Sequence, residues 1–221
     1  MGKIIVIDGP AGSGKSTTAI ALAKKIGYVY LDTGAMYRAM TYKFLKLGLK
    51  HFGDKQQLEN VLRNTKINIK PQNDGLLIYI DGEDVTNKIR SNDIDGFVSE
   101  VAAVDAVREF LQKLQRQFAR DHDIIADGRD LGTYVFPDAD VKIFLVADLE
   151  ERAKRRLLQK NATNDDLAAF RNNLKKRDHI DSSRLHSPLK KAEDAIEVDT
   201  TELTFEQQVE MIYQICLKKT A

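Results

Sequence analysis

Short apolar runs, separated by turn residues and amphipathic stretches, recur along the whole 221-residue chain. The first, KIIVID at 3–8, is β-branched and stops at Gly-Pro, which is typical of a buried parallel strand. Similar runs predict four more core strands, at 28–31, 124–126, 141–147 and 195–200. Strands that alternate with helices indicate an α/β fold with a mostly parallel five-stranded sheet.

The segments between these strands have helical spacing. They predict helices over 15–26, from 33 to about 47, over about 97–120, from near 150, over about 165–180 and after 204. Gly27 is placed to end the first helix, and Asp32-Thr33 to begin the second. Thr204 can cap the last helix.

The middle of the chain has a different pattern. Residues 65–70 and 76–80 alternate or run apolar around a turn at 71–75, which predicts an antiparallel hairpin. Asp81-Gly82 marks a further turn. Since a doubly wound core does not need this hairpin, we interpret the stretch from about 64 to 95 as an inserted lobe.

Composition narrows the class of protein. The content is 43% apolar and 30% charged, as in ordinary globular proteins, and the net charge is only +1. No overall basic field favours nucleic acid or membrane as a partner, and no apolar run reaches 18 residues. The single cysteine, Cys216, lies in an apolar run and is predicted to be buried, which fits a reducing compartment. We expect a cytoplasmic monomer.

One motif carries the donor chemistry. Residues 9–17, GPAGSGKST, fit G-x-x-x-x-G-K-[ST] between a predicted strand and a predicted helix. Glycines let successive N–H groups point at phosphate oxygens, and the helix adds its positive end. The alternative is a glycine-rich turn without a ligand. We predict ATP contacts from the whole loop: Gly9, Pro10, Ala11, Gly12, Ser13, Gly14, Lys15, Ser16 and Thr17.

A magnesium ion brought with ATP is the expected cofactor. The hydroxyl of Ser16 and the carboxylate of Asp127, which ends the strand at 124–126, are the candidate groups beside it. Asp127 could instead be only a turn-forming Asp-Gly residue. The four histidines have no metal-ligand spacing, so no tightly bound protein metal is expected.

Arginines suggest how a second substrate is held. Residues 152–184 contain ten Arg and Lys against four acidic residues, although the whole chain is balanced. Guanidinium groups suit phosphoryl transfer, and a basic lid could exclude water; a solvated helix face is the alternative. No N-K-x-D segment of a GTPase is present, and motors are far longer. A kinase for a small acceptor is favoured.

The chain resembles the bacterial cytidylate kinases, a family of nucleoside monophosphate kinases. The matching segments run in order over nearly the whole length: IDGPAGSGKST at 7–17, LDTGAMYRA at 31–39, DGEDVT at 81–86, SEVAA at 99–103, VRE at 107–109, ADGRDLGTYVFPDA at 126–139, EERAKRR at 150–156 and the segment from 177 to 189. The resemblance implies transfer of the γ-phosphoryl of ATP to CMP or dCMP. It also implies a core of 1–32, 97–150 and 185–221, a monophosphate-binding lobe of 33–96 and a lid of 151–184.

The resemblance implies residue roles as well. The acceptor nucleotide would contact Thr33, Tyr37, Arg38, Ser99, Arg108, Arg129, Asp130, Arg177, Asp181 and Arg184. The catalytic set would be Lys15, Arg38, Arg129, Arg156 and Arg184. Arg152 and Arg155 would contact ATP.

Base chemistry agrees with part of this assignment. Cytosine presents an N4 amine from which a carboxylate accepts, whereas uracil presents an acceptor there, so Asp130 predicts CMP over UMP. There is an alternative for each of these residues. Asp130 could instead pair locally with Arg129. Ser99 and Arg108 could lie on a polar helix face, and Asp181 could cap a helix. The segment 157–166 carries no arginine, so 152–156 could supply more of the lid's charge.

Two rival functions stay open on sequence alone. Another small-molecule P-loop kinase, such as an adenylate, uridylate or shikimate kinase, is one. A nucleotide-binding module that closes on ATP without turnover is the other.

Overall fold

The computed structural model describes residues 2–72, 75–160 and 162–220, and its centre is a parallel sheet. The strands are β1 Ile4–Asp8, β2 Val29–Asp32, β3 Ile67–Gln72, β4 Gly75–Ile80, β5 Glu83–Asp84, β6 Ile124–Gly128, β7 Val141–Val146 and β8 Ile196–Asp199. The sheet has the order β2-β6-β1-β7-β8, and all its neighbouring strands are parallel. The predicted five-stranded parallel sheet is confirmed.

Helices cover both faces of this sheet. They are α1 Lys15–Ile26, α2 Thr33–Lys46, α3 Lys55–Arg63, α4 Asn92–Ala102, α5 Asp105–Arg120, α6 Leu149–Gln159, α7 Leu167–Ser183 and α8 Phe205–Thr220. Alternate residues of β1 point to opposite faces, as strand geometry requires. Ile5 and Ile7 pack with α1 and α8, whereas Val6 packs with α2, α4 and α5. Both faces are therefore buried, which explains why β1 is apolar from Ile4 to Ile7.

The predicted helix ends are confirmed at three places. Gly27 ends α1 with a left-handed backbone (φ 76°), and the Asp32 carboxylate accepts from the amide of Ala35 at the start of α2. Before α8, the Thr204 hydroxyl accepts from the amide of Gln207 while the Gln207 side chain accepts from the amide of Thr204. This reciprocal pair is a capping box.

The predicted hairpin is confirmed as β3 and β4, paired from Ile67–Ile80 to Gln72–Gly75. Residues 73 and 74 of the predicted turn lie outside the described residues. Two elements of this lobe were not predicted: β5, which extends the hairpin to three strands, and α3, which packs Leu58 and Leu62 into the core. The lobe shares one apolar core with a face of the parallel sheet.

The single helix predicted over about 97–120 is wrong, because α4 ends at Ala102 and α5 begins three residues later. Val104 between them has an extended backbone (φ −82°, ψ 116°). In a continuous helix the carbonyl of Ala102 would accept from the amide of Ala106. Here it accepts from the Arg108 guanidinium at 3.0 Å, so the break supplies a contact that orients Arg108.

The predicted lid segment folds as α6 and α7, which pack on each other. Residue 161 of that segment lies outside the described residues. Ala153 of α6 and Leu174 of α7 pack against Ala11 of the phosphate loop. The lid helices therefore contact the predicted ATP site directly. The boundaries of core, lobe and lid remain predictions.

Two predictions from composition concern single features. Cys216 is buried, 2% exposed, as its apolar run predicted, and burial raises the pKa of its thiol to about 11. Among the described residues, no helix is long and apolar enough to cross a membrane.

Candidate active site

The loop between β1 and α1 has the backbone that a phosphate loop requires. Gly9 has φ 146°, and a Cβ there would lie 2.1 Å from the carbonyl oxygen of Leu145. Gly14 has φ 89°, and a Cβ there would lie 3.1 Å from the Nε2 atom of Gln208. These positions tolerate only glycine without strain or displacement.

Lys15, at the start of α1, holds its ammonium inside this loop. Its Nζ donates to the carbonyl of Pro10 at 2.5 Å and lies 3.4 Å from the Ser13 hydroxyl. Burial, and then the nearby Arg129, lower the pKa of Lys15 well below its ordinary value of 10.5. A charged group so poorly compensated is placed to gain from an anionic ligand.

Ser16 and Asp127 meet where β6 ends beside the loop. The Ser16 hydroxyl donates to Asp127 at 2.7 Å, and the Tyr30 hydroxyl donates to the other carboxylate oxygen at 2.7 Å. Burial, and then Asp32, raise the pKa of Asp127. Hydroxyl and carboxylate oxygens are hard donors of the kind that Mg²⁺ prefers, so these two residues fit that ion. Within the described ranges no three acidic, His or Cys side chains form a metal cluster.

Asp130, directly after Arg129, is held by two arginines. Arg108 donates to it at 2.5 Å and Arg184 at 3.4 Å, and all three side chains are almost fully buried. Arg129 does not pair with it; the Arg129 Nε atom donates to Asp181 at 2.9 Å. The local pair between Asp130 and Arg129, which was the alternative to a contact with the base, is therefore not observed. Arg108 is 2% exposed and does not lie on a solvated helix face.

Several buried polar atoms of this site lack partners. The Tyr37 hydroxyl, Arg108 Nε and Arg177 Nε have none within the part of the chain that the structure describes. Burial raises the pKa of Tyr37 to about 12, so its hydroxyl stays a donor. Burial, followed by Arg129 and Arg38, lowers the pKa of Arg177 to about 10. Unsatisfied buried donors are costly, and a polar ligand would satisfy them.

The two arginines predicted to contact ATP differ in position. Arg152 points at the backbone of the phosphate loop: it donates to the Ala11 carbonyl at 3.0 Å and to Asp178 of α7 at 2.5 Å. Arg155 donates to the hydroxyl and carbonyl oxygens of Thr200. Arg155 lines the cavity described next, and Arg152 does not.

One cavity of about 470 Å³ joins these groups, a size typical of small-ligand sites. Nine basic and four acidic side chains line it among the described residues. It brings together most of the predicted site: Ala11, Gly12, Gly14, Lys15, Ser16, Thr17, Thr33, Tyr37, Arg38, Ser99, Arg108, Asp127, Arg129, Asp130, Arg155, Arg156, Arg177, Asp181 and Arg184. The predicted residues outside its lining are Gly9, Pro10, Ser13 and Arg152.

Comparison with known proteins decides the family. The family model described as cytidylate kinase matches residues 5–218. A cytidylate kinase of Geobacillus sp. is 49% identical over 213 residues, which cover 96% of this chain and 95% of that protein. A cytidylate kinase of Anoxybacillus flavithermus is 50% identical over 210 residues, covering 94% and 93%. This chain belongs to the cytidylate kinase family.

Membership in the cytidylate kinase family makes the chain a phosphotransferase and confirms the resemblance seen in the sequence. It favours an enzyme over a binding module without turnover. Among solved structures, an uncharacterized protein from Eubacterium ventriosum aligns with a TM-score of 0.51 at 14% identity, over 99% of this chain and 97% of its own. That likeness concerns the fold alone.

Sequence reasoning missed three carboxylates that support the site of this cytidylate kinase family member. Asp8 accepts from the amides of Leu131 and Gly132 at 3.0 and 2.8 Å, directly after Asp130. Asp178 accepts from the amide of Ala11 at 3.1 Å. The third is Asp95 of α4, which accepts from Arg38 at 2.5 Å. A charged residue at the end of the apolar run 3–8 was the available signal for Asp8.

Proposed function

We propose that the protein transfers the γ-phosphoryl group of ATP to CMP or dCMP, giving CDP or dCDP and ADP. The observation that carries this proposal is Asp130, fixed by Arg108 and Arg184 in a cavity that the phosphate loop also lines. A carboxylate locked as an acceptor matches the N4 amine of cytosine.

The donor site would be the phosphate loop. Its amides and the N-terminus of α1 would cradle the ATP phosphates, and the Lys15 ammonium would turn from Pro10 to a phosphate oxygen. Ser16 and Asp127 would hold Mg²⁺, Asp127 partly through water; when bound, that ion neutralises charge on the phosphates.

The acceptor site would read base and ribose separately. Asp130, Arg108 and Ser99 would contact the cytosine edge, and all three are buried beside the cavity. Arg177 and Asp181 would hold the ribose, since Arg177 has a buried nitrogen without a partner among the described residues. Thr33, Tyr37 and Arg184 would complete the lining of the acceptor site.

Transfer would need positioning rather than a general base, because the CMP phosphate is already anionic. One of its oxygens attacks the γ-phosphorus in line; that P–O bond forms while the bond to the β-phosphate oxygen breaks and ADP leaves. Arg38, Arg129 and Arg156, which line the cavity, would stabilise the charge on the transferring group together with Lys15 and Arg184.

Cellular context is also proposed. We infer a monomer in the cytoplasm that uses no nucleic acid or membrane partner. The net charge of +1 supports this proposal, because it provides no overall basic field, and the excess of basic over acidic side chains in the cavity lining is local.

An acceptor panel tests the proposed function. In a coupled assay of ADP release with ATP and Mg²⁺, CMP and dCMP should be turned over at least about 100-fold faster, as kcat/KM, than UMP or AMP, because a hydrogen-bonding site rejects the analogue that mismatches it. Equal rates with UMP or AMP would contradict the assignment of the acceptor.

Two variants test whether Asp130 is the residue that distinguishes CMP from UMP. Asp130→Asn should narrow the CMP-over-UMP ratio, because an amide can offer uracil a donor. Glu109→Gln makes the same kind of change on an exposed residue of α5 and should leave the ratio unchanged. An unaltered ratio in Asp130→Asn would exclude Asp130 as the base reader.

A further inference from the structure

Asp95 of α4 is the centre of an ion-pair cluster at the edge of the cavity. Its Oδ1 atom accepts from Arg38 Nη1 at 2.5 Å. Its Oδ2 atom accepts from Arg156 Nη2 at 2.9 Å and lies 3.2 Å from Lys160 Nζ. The Asp95 side chain is 17% exposed, so solvent screens these pairs less than ordinary surface pairs.

The members of this cluster come from two parts of the fold. Arg38 lies on α2 and Asp95 on α4, both in the lobe that follows β2. Arg156 lies on α6 and Lys160 directly after it, in the lid. One carboxylate thus joins an arginine of the lobe to two cations of the lid.

Charge explains why a carboxylate is needed there. Arg38 and Arg156 line the cavity and are proposed to contact the transferring phosphoryl group and the acceptor phosphate. Without Asp95, three like charges would face one another and push the lid from the lobe. Burial alone would raise the pKa of the Asp95 carboxyl, but the cations around it together lower this pKa, so the group stays ionised at neutral pH.

Geometry explains why Asp95 does not replace the substrate. Its bond to Arg38 involves Nη1, and a guanidinium has five N–H donors in a planar fork. The remaining donors can point to a phosphate while the carboxylate holds the side chain in one rotamer. An arginine ordered in advance loses less conformational freedom when the ligand arrives.

We propose that Asp95 is a positioning residue for phosphoryl transfer, which orients Arg38 and closes the lid onto the lobe through Arg156 and Lys160. The inference rests on the proposed function, because it gives these arginines the acceptor and transferring phosphates. Asp95 itself is absent from the cavity lining and acts through the arginines.

The test is Asp95→Asn, which keeps the size of the side chain and removes its charge. KM for CMP should rise about tenfold while KM for ATP changes less than about twofold, because the acceptor arginine loses its orientation. The fraction of ATP hydrolysed by water instead of transferred should also rise, because the lid closes less completely. Phosphate release measured beside CDP formation gives that fraction.

Two further variants separate positioning from general effects. Asp93→Asn removes the same charge from the same first turn of α4 at an exposed residue and should leave both KM values unchanged. Lys160→Gln weakens the bridge from the lid side without touching the cavity lining. Its effect on the hydrolysed fraction should largely disappear in the Asp95→Asn background, since both changes break one bridge.

The outcomes are distinct. Wild-type protein that fails to phosphorylate CMP in the same assay would contradict the proposed function itself. Active wild type with an Asp95→Asn variant of unchanged or lower KM for CMP would overturn the positioning role alone. If thermal denaturation shows that Asp95→Asn is unfolded, the Lys160→Gln variant provides the test. An unchanged fraction of hydrolysed ATP in Lys160→Gln would then overturn the proposal.

Discussion

At the scale of single residues, Asp8 has an unusual environment for a carboxylate. It is 4% exposed, and its carboxylate accepts two amide bonds from the turn that follows Asp130. Burial outweighs these bonds and raises the pKa of Asp8 from 3.8 to about 7, with Asp130 contributing in the same direction. This residue therefore links the end of β1, just before the phosphate loop, to the turn that follows Asp130, the proposed base-reading residue.

The pKa of Asp8 predicts how stability depends on pH. Between about pH 4 and pH 7 the folded protein keeps a proton on Asp8 that the unfolded chain releases. The free energy of unfolding should therefore fall as pH rises through this window, by on the order of 3 kcal/mol from this group. Asp8→Asn removes this titrating group, so the free energy of unfolding of the variant should increase relative to that of the wild type from pH 4 to pH 7.

Urea denaturation at several pH values measures this difference. Asp140→Asn is the matched control, because Asp140 also accepts from an amide of β1, that of Ile4 at 2.7 Å, at the opposite end of the strand. If the difference in free energy of unfolding between the wild type and Asp8→Asn stays constant from pH 4 to pH 7, the pKa of Asp8 is not raised.

At the scale of elements, the phosphate loop depends on a helix that is remote in sequence. Gln208 of α8 is buried, its Nε2 atom donates to the Thr18 hydroxyl, and the same amide lies against Gly14. The loop is therefore enclosed by the last helix as well as by the lid. A side chain at Gly14 would collide with this support.

Gly14→Ala should weaken ATP binding by at least about tenfold. The left-handed backbone (φ 89°) opposes a Cβ by roughly 1–2 kcal/mol, and the methyl group would displace the Gln208 amide. Gly82→Ala is the control, since its φ of 86° gives the same backbone cost while nothing lies within 4 Å of the new methyl. Calorimetric titration with ATP compares the two variants, and equal affinities would show that the contact with Gln208 is unimportant.

Periodicity predicted the sheet and most helices because their apolar positions follow one rule along each element. It did not predict the break after Ala102, since no Gly or Pro marks it and the apolar spacing continues across it. At the break the Ala102 carbonyl accepts from the Arg108 guanidinium, a side-chain contact that apolar spacing does not reveal. β5, only two residues long, carries too little pattern to be recognised.

The site residues also differ in whether the local sequence could predict them. The phosphate loop is contiguous and could be predicted from its spacing, whereas Asp130 needed a family resemblance. Asp95 and Asp178 could not be identified, because their roles come from partners 26 to 167 residues away in sequence. For Asp8 the signal was its place at the end of an apolar run, which did not reveal its partners more than 120 residues away. A carboxylate that supports an arginine has no local signature.

At the scale of the whole molecule, charge is balanced overall, but basic side chains are in excess in the cavity lining. The net charge is +1, yet nine basic against four acidic side chains line the cavity among the described residues. Attraction of nucleotides should thus arise locally, inside a concave site, rather than from a field over the surface.

Salt should therefore weaken substrate capture while leaving the fold intact. Raising NaCl from 50 to 500 mM should increase KM for CMP by roughly three- to tenfold, because the Debye length shrinks to a few ångströms. Thermal unfolding followed in the same buffers should shift little, since the core is apolar. A KM that is independent of salt would mean that the cavity's charges are already neutralised by one another.

The central position of β1 has a consequence for how the chain is made. Its partners β6 and β7 begin at residues 124 and 141, so the strand that precedes the phosphate loop leaves the ribosome long before either neighbour exists. The contacts of α8 with Thr18 and Gly14 come later still. During synthesis, at about 5–20 residues per second, the phosphate loop is therefore translated well before the strands and the helix that fix its shape.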